Sequence, residues 1–364
     1  MDISKIDKNF APRNFFPDDY EWHEITEEEF SVHGVRYSEK TDCYIRMPEE
    51  VAEKVNGGVA WLNSTTAGGR VRFATNAPFI AIQSAIPTFE VMSHMASTGS
   101  HNFGVYVDGE FSGTTQFYLL DFYNAIKNGE NTFFFDDLRP VNPHGDGFKE
   151  IEITFPLYGG VRKLLIGVKK GYAIRKAKPY KYQKPIVFYG SSITQGGCAS
   201  HAGAEHVGAV CRRLDSDFIN LGFSGSARAE ESMREYLASL NPSVYVLDYD
   251  HNAPSAEHLF KTHYPLYEKI RSAHRNSPIV FITKPDFDSD ENAPERRAVI
   301  YETYRKAKEN GDENVWFIDG ETLFGKLSRS DCTVDTCHPN DLGFYKMTNK
   351  IYPVLKQALL KAYK

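Results

Sequence analysis

Cysteine is scarce in this chain: five are scattered over 364 residues, at positions 43, 198, 211, 332 and 337. An odd, dispersed set of this kind builds no disulfide framework, and no Cys-x-x-Cys pair offers a zinc site. No apolar run approaches the roughly 18 residues that a membrane-spanning helix requires. The opening stretch from Met1 to Lys8 lacks the apolar core of an export signal. Free thiols and the missing signal together predict a cytoplasmic setting. Basic runs are missing too, and the formal net charge of -6 gives a nucleic-acid partner no electrostatic support. Nor is there an internal repeat, a low-complexity tract or a long apolar flap, and the lack of a flap argues against a lipase working at a lipid surface. The remaining composition is 41% hydrophobic and 25% charged, which is globular, in a chain long enough for two cores.

Two textures divide the chain, and the expected domains are 1–175 and 176–364. The first is rich in short aromatic and β-branched runs. They include Val71–Ala74, Phe79–Ile82, Val105–Val107, Thr132–Phe135, Ile151–Phe155 and Lys163–Val168, with Asp108-Gly109 as a hairpin signal. This pattern predicts an all-β sandwich or jelly roll. The basic, proline-containing stretch Arg175–Lys181 reads as a linker. After Pro185 short apolar runs alternate with helical segments. The strand candidates are Ile186–Tyr189, Phe218–Leu221, Val244–Leu247, Ile279–Thr283 and Val315–Ile318. Such alternation predicts an α/β domain with a parallel sheet covered on both faces, its site beyond the carboxyl ends of the strands. Pro353 is expected to kink or split the last helix.

The first apolar run of this second part ends in Gly190-Ser191-Ser192-Ile193-Thr194, and far downstream lies Asp335-Thr336-Cys337-His338-Pro339-Asn340. A serine hydroxyl is a poor nucleophile until a histidine takes its proton, and that histidine needs a carboxylate to fix its tautomer. Ser192, His338 and Asp335 supply the three groups. The bland alternatives are that Ser192 caps the helix after the strand, and that Asp335 and Asn340 cap the last helix. Two further blocks follow strand candidates: Asn220-Leu221-Gly222-Phe223-Ser224-Gly225-Ser226 and Asp248-Tyr249-Asp250-His251-Asn252-Ala253. A glycine N–H and an asparagine amide at neighbouring strand ends suit the donors that an oxyanion needs.

These four blocks, in this order, resemble those of the SGNH, or GDSL-type, hydrolase superfamily. The resemblance implies a flavodoxin-like three-layer domain, with Ser192 as nucleophile and His338 as base oriented by Asp335. It also implies an oxyanion hole made by the backbone N–H groups of Ser192 and Gly225 and the side chain of Asn252. Two departures stand out: Ser191 replaces the usual aspartate, and the usual Gly-x-Asn-Asp has become Asp250-His251-Asn252-Ala253. The order of a β-rich domain before the hydrolase domain resembles bacterial two-domain carbohydrate esterases. The expected activity is removal of a short acyl group, acetyl first, from a carbohydrate. The alternatives are a lysophospholipase or thioesterase on longer chains, and a carbohydrate-binding protein with an inactive hydrolase domain. No cofactor or metal is implied, and the expected partner is a small-molecule or oligosaccharide ester.

Other residues carry weaker expectations. His251 is placed at the substrate border. Cys337, between two triad members, is expected to point away. His201 and His206 are read as loop histidines near the pocket rim. His94 and His101 lack ligand spacing with a carboxylate and are read as surface or packing residues. Trp22 and Trp61 suit either sugar stacking or, more commonly, a sandwich core.

Overall fold

Ile151 and Ile153 are buried while Glu150 and Glu152 between them face outward, the period of two that half-buries a strand. Repeated along the N-terminal half, this alternation gives two antiparallel sheets. The computed structural model describes residues 17–88, 91–145, 147–285, 288 and 290–364. Its first strands are β1 (Tyr20–Glu24), β2 (Ser31–His33), β3 (Arg36–Ser38) and β4 (Cys43–Ile45), followed by helices α1 (Glu49–Val55) and α2 (Gly57–Leu62). Next come β5 (Arg70–Thr75), β6 (Phe79–Pro87), α3 (Ser97–Ser100), β7 (Gly104–Val107) and β8 (Glu110–Thr114). The half is completed by α4 (Leu119–Lys127), β9 (Thr132–Pro140), β10 (Lys149–Thr154), β11 (Lys163–Lys169) and β12 (Ile174–Arg175). One sheet has the order β1-β11-β6-β9 and the other β12-β5-β10-β7-β8, with β2 also on β5. Side chains of both, among them Phe73, Ile80, Ile82, Val105, Ile153 and Ile166, meet in one core, which makes this half a β-sandwich. Asp108 and Gly109 both take positive φ (51° and 85°) and close the β7–β8 hairpin.

The second half contains β13 (Tyr182–Gly190), α5 (Ser192–Gln195), α6 (His206–Leu214), β14 (Ser216–Gly222), α7 (Glu231–Ser239) and β15 (Val244–Asp248). It continues through α8 (Ala256–Ala273), β16 (Ile279–Ile282), α9 (Ala293–Glu309), β17 (Val315–Ile318) and α10 (Asp341–Ala362). Its five strands are all parallel, in the order β14-β13-β15-β16-β17. Ile186 and Phe188 pack with α6 and α10 on one face. Val187 and Tyr189 pack with α7, α8 and α9 on the other. Both faces of the central strands are therefore apolar, and the near-continuous runs seen in the sequence, Ile186–Tyr189 above all, follow.

The two halves share cores. Ala67, Met95, Leu157 and Tyr158 join the layer containing α6 and α10, while Met47, Ala52, Val59 and Leu62 join the opposite layer. The buried Arg46 guanidinium donates to the carbonyls of Gly222 and Leu62, and the buried Arg70 donates to Asp217 and to the Phe218 carbonyl. The stretch read as a linker is strapped down rather than loose. Arg175 pairs with β5, the Lys178 N–H donates to Glu150, and the Tyr180 hydroxyl donates to Glu152 at 2.8 Å. Pro353 lies inside α10 without splitting it. Helices α1, α2 and α4 were not expected from the strand-like texture. They are only 7, 6 and 9 residues long, too short for a helical period to stand out.

Candidate active site

Strands β13, β14 and β15 end level with one another: Gly190 is in register with Gly222 on one side and Asp248 on the other. That shared edge carries three of the four sequence blocks. At Gly190 a Cβ would come within 2.1 Å of Thr194 Oγ1 and 2.5 Å of the Asp248 carbonyl, so only glycine lets α5 start so close to the strand. Ser191 then caps α5, its Oγ accepting from the Ile193 N–H at 3.1 Å. The capping task therefore falls to the residue that replaces the usual aspartate, and Ser192 is left for other work.

Ser192 Oγ lies 2.9 Å from His338 Nε2, and His338 Nδ1 lies 2.8 Å from Asp335 Oδ2. Sequence separation between the first pair is 146 residues, and the loop before α10 closes it. In that loop Thr333 bridges to Pro339 and the Val334 N–H donates to the His338 carbonyl. Asp335 Oδ1 accepts from the His338 N–H at 2.7 Å and the Cys337 N–H at 3.1 Å. Partial burial would raise the Asp335 carboxyl, but these donors and the His338 ring outweigh it and hold it below its ordinary range. Asn340 caps α10, accepting from the Gly343 N–H, so Asp335 is not spent on that role.

Asn252 and Gly225 lie just past the carboxyl ends of β15 and β14, the strands on either side of β13. The Asn252 amide donates to the Phe223 carbonyl at 2.7 Å, tying the loop after β15 to the loop after β14. Gly225 has φ +66°, the left-handed region where a side chain is strained. Ser192 opens a helix, so its own N–H has no intrahelical carbonyl to serve.

Cys337 does not point away. Thr336 takes φ +65°, rare for a β-branched residue, and this twist interrupts the alternation that would send neighbours to opposite sides. Cys337 Sγ sits 3.0 Å from His251 Nε2 and within 4.8 Å of a His338 ring nitrogen. Burial alone would raise the thiol, yet the two imidazoles pull it down to about 7. In return Cys337, ahead of Asp335 and against burial, raises His338 above its ordinary value. His251, expected at the substrate border, is thus engaged with Cys337.

Several contributors were invisible to sequence patterns because they come from the other half of the chain or from unmarked positions. Gln195 donates to the Leu157 carbonyl at 3.1 Å and to Thr65 Oγ1 at 3.2 Å, and its Oε1 accepts from the Ser224 N–H at 3.0 Å. It therefore hangs the loop of Gly225 on the sandwich. The buried Tyr158 hydroxyl points at the Ser192 carbonyl, 3.4 Å away. His94, read as a surface or packing residue, is exposed, yet its ring centre lies 5.8 Å from that of His338. His201 stacks on Phe111 and His206 on Phe344, so neither lines the site. Trp61 is 61% exposed on α2 rather than in the sandwich core. A separate cleft of about 390 Å³, lined by Arg72, Glu152, Tyr180 and Arg212, opens near Asp215 at the amino end of β14, the opposite edge of the sheet.

The sequence pattern of the GDSL-like lipase/acylhydrolase family matches residues 183–356. That of the N-terminus of SGNH-hydrolase-type esterases matches residues 20–174. No curated protein sequence matches this chain. Among solved structures, one described as a GDSL-like lipase from Bacteroides ovatus is 26% identical, with TM-score 0.79 over 94% of this chain and 98% of its own. The salicylyl-acyltransferase SsfX3 from a tetracycline biosynthetic pathway is 17% identical, with TM-score 0.74 over 93% and 97%. A family two carbohydrate esterase from Clostridium thermocellum, in complex with cellohexaose, is 14% identical, with TM-score 0.62 over 91% and 99%.

Proposed function

We propose that this chain, an ester hydrolase belonging to the SGNH (GDSL-type) superfamily, removes short acyl groups from carbohydrates through Ser192, His338 and Asp335. The observation that carries the reading is the unbroken relay from Ser192 Oγ to His338 Nε2 at 2.9 Å and from Nδ1 to Asp335 at 2.8 Å.

His338 Nε2 takes the Ser192 proton as Oγ attacks the ester carbonyl carbon. The charge that develops on the carbonyl oxygen is met by the N–H groups of Ser192 and Gly225 and by the second N–H of the Asn252 amide, whose first serves Phe223. Asp335 keeps the proton on Nδ1 and stabilises the imidazolium. His338 then protonates the departing sugar oxygen, leaving an acyl group on Ser192. Water, deprotonated by His338, attacks that acyl carbon and regenerates the serine. The groups near the serine are polar or titratable (His94, His251, Cys337 and Asp335), which suits a hydroxyl-rich leaving group better than a lipid tail. Structural neighbours described as a family two carbohydrate esterase and an acetyl xylan esterase favour the same substrate class.

The test is a hydrolysis panel of p-nitrophenyl esters from acetyl to long chain, with acetylated oligosaccharides alongside. Acetyl esters should be preferred, and Ser192→Ala should lower turnover by roughly 10⁴–10⁶. Wild-type turnover in that variant would refute the mechanism, and preference for octanoyl or longer esters would refute the short-acyl substrate.

A further inference from the structure

The base of the relay stands in unusual company. Ligand atoms of His94, Cys198 and His338 all lie within 4.8 Å of one another. They arrive from three separate places: the segment between β6 and α3, the turn after α5, and the loop before α10. Cys198 is buried and held at φ +70°, a conformation that non-glycine residues rarely adopt. Glycine neighbours Gly196 and Gly197 bring this turn against the site, where a Cβ on Gly197 would meet His338 Cδ2 at 3.2 Å. His94 sits on the exposed side and closes the group from the first domain.

Two imidazoles and a thiol form a donor set suited to a borderline-soft divalent cation, and a poor one for calcium or magnesium, which take oxygen. Zinc bonds of about 2.0–2.1 Å to nitrogen and 2.3 Å to sulfur would set the donors roughly 3.3–3.8 Å apart in a tetrahedron. Each pair therefore needs to close by at most about 1.5 Å; the exposed His94 side chain can supply this for its two pairs, and the Cys198–His338 pair has to close through those two side chains themselves. The second shell is already built. His338 Nδ1 is held by Asp335 at 2.8 Å, so the nitrogen with a lone pair to give is Nε2, in the carboxylate–histidine–metal arrangement common to zinc sites.

We propose that His94, Cys198 and His338 form a zinc site whose occupation reversibly switches the esterase off. On binding, the Cys198 thiol loses its proton to solvent and its sulfur bonds the metal, while His338 Nε2 commits its lone pair. That nitrogen can then no longer take the Ser192 proton, so turnover stops without any covalent change. Chelation of the metal restores both groups. The inhibitory consequence rests on the esterase reading above, whereas the metal site does not.

The experiment uses the full-length protein. Zinc is titrated against a chromophoric indicator, and cobalt(II) is added separately to read the thiolate-to-metal charge-transfer absorption. The expected result is one zinc per chain, with p-nitrophenyl acetate hydrolysis lost over the same range and restored by EDTA. His94→Gln and Cys198→Ser should each weaken binding by on the order of 100-fold, and Asp335→Asn, acting through Nδ1, by about 10–100-fold. The cobalt band should persist in Ser192→Ala and Cys337→Ser and vanish in Cys198→Ser. Should Cys198→Ser fail to fold by thermal melting, the exposed His94→Gln decides alone. Absence of stoichiometric zinc, unchanged affinity in His94→Gln, or loss of the band in Cys337→Ser but not Cys198→Ser would overturn the site. Stoichiometric binding by a chain that hydrolyses no ester would keep the site and reject the esterase reading instead.

Discussion

Cys337 Sγ and His251 Nε2 face each other at 3.0 Å, beside the imidazole that serves Ser192. Two neighbouring imidazoles bring the thiol down to about 7 against the effect of burial, so the thiolate predominates just above neutral pH. Alkylation by iodoacetamide should therefore inactivate the enzyme at a rate that rises through pH 7. Cys337→Ala should resist, and His251→Ala should move the rise to higher pH. Mass spectrometry of the labelled peptide checks the site; modification confined to another cysteine would contradict the assignment.

The same coupling should set the acid limb of catalysis. The Cys337 thiol, more than Asp335 and against burial, holds His338 above its ordinary value of 6.5. Hydrolysis needs the neutral imidazole, so kcat/KM should rise with pH through that elevated value and fall as the ring protonates below it. Removing the thiol in Cys337→Ala should displace the limb to lower pH. A limb that stays in place would mean that Asp335 alone sets the imidazole.

Asn252→Ala should reduce kcat by roughly 10²–10³ with much less change in KM, because its bond to the oxyanion forms mainly in the transition state. Initial-rate kinetics on p-nitrophenyl acetate read the split. A rise in KM at constant kcat would place Asn252 in substrate binding instead.

Gln195 joins the sandwich carbonyl of Leu157 to the N–H of Ser224, next to Gly225. Gln195→Ala leaves the buried Leu157 carbonyl unmet, at a cost of about 1–3 kcal/mol, and frees the half-buried Ser224 N–H. Turnover and melting temperature should both fall. A variant as stable and as active as wild type would show that the loop holds its shape without this link.

Expressed alone, residues 176–364 should not reach a native state. Without the first half, the surfaces covered by Leu157, Tyr158, Met95, Val59 and Leu62 open to water. Each buried side chain of this kind is worth about 1.5–3 kcal/mol, so a few of them rival a typical stability of about 5–15 kcal/mol. Near-UV circular dichroism and thermal melting decide it; a fragment with a cooperative melt and full activity would make the sandwich dispensable.

The amino-acid sequence by itself determined the architecture and pointed to the residues proposed to react. Continuous apolar runs at residues 186–189 and 244–247, with a third at 218–221 broken only by Asn220, fit strands covered on both faces, and turn blocks at their ends mark where the proposed site residues lie. Ser192, His338 and Asp335 were legible because nucleophile chemistry demands those residue types, and the Asp108-Gly109 turn because two successive positive φ values demand that pair. Tertiary structure alone decided the surroundings. Gln195, Tyr158 and His94 carry no local signal, since their partners lie 29 or more residues away and meet them only when the two halves share a core. The direction of Cys337 depended on a single left-handed residue, Thr336, which no periodicity announces. Period and composition report what a segment buries, whereas the company a side chain keeps across 100 or more residues is set by how whole layers pack.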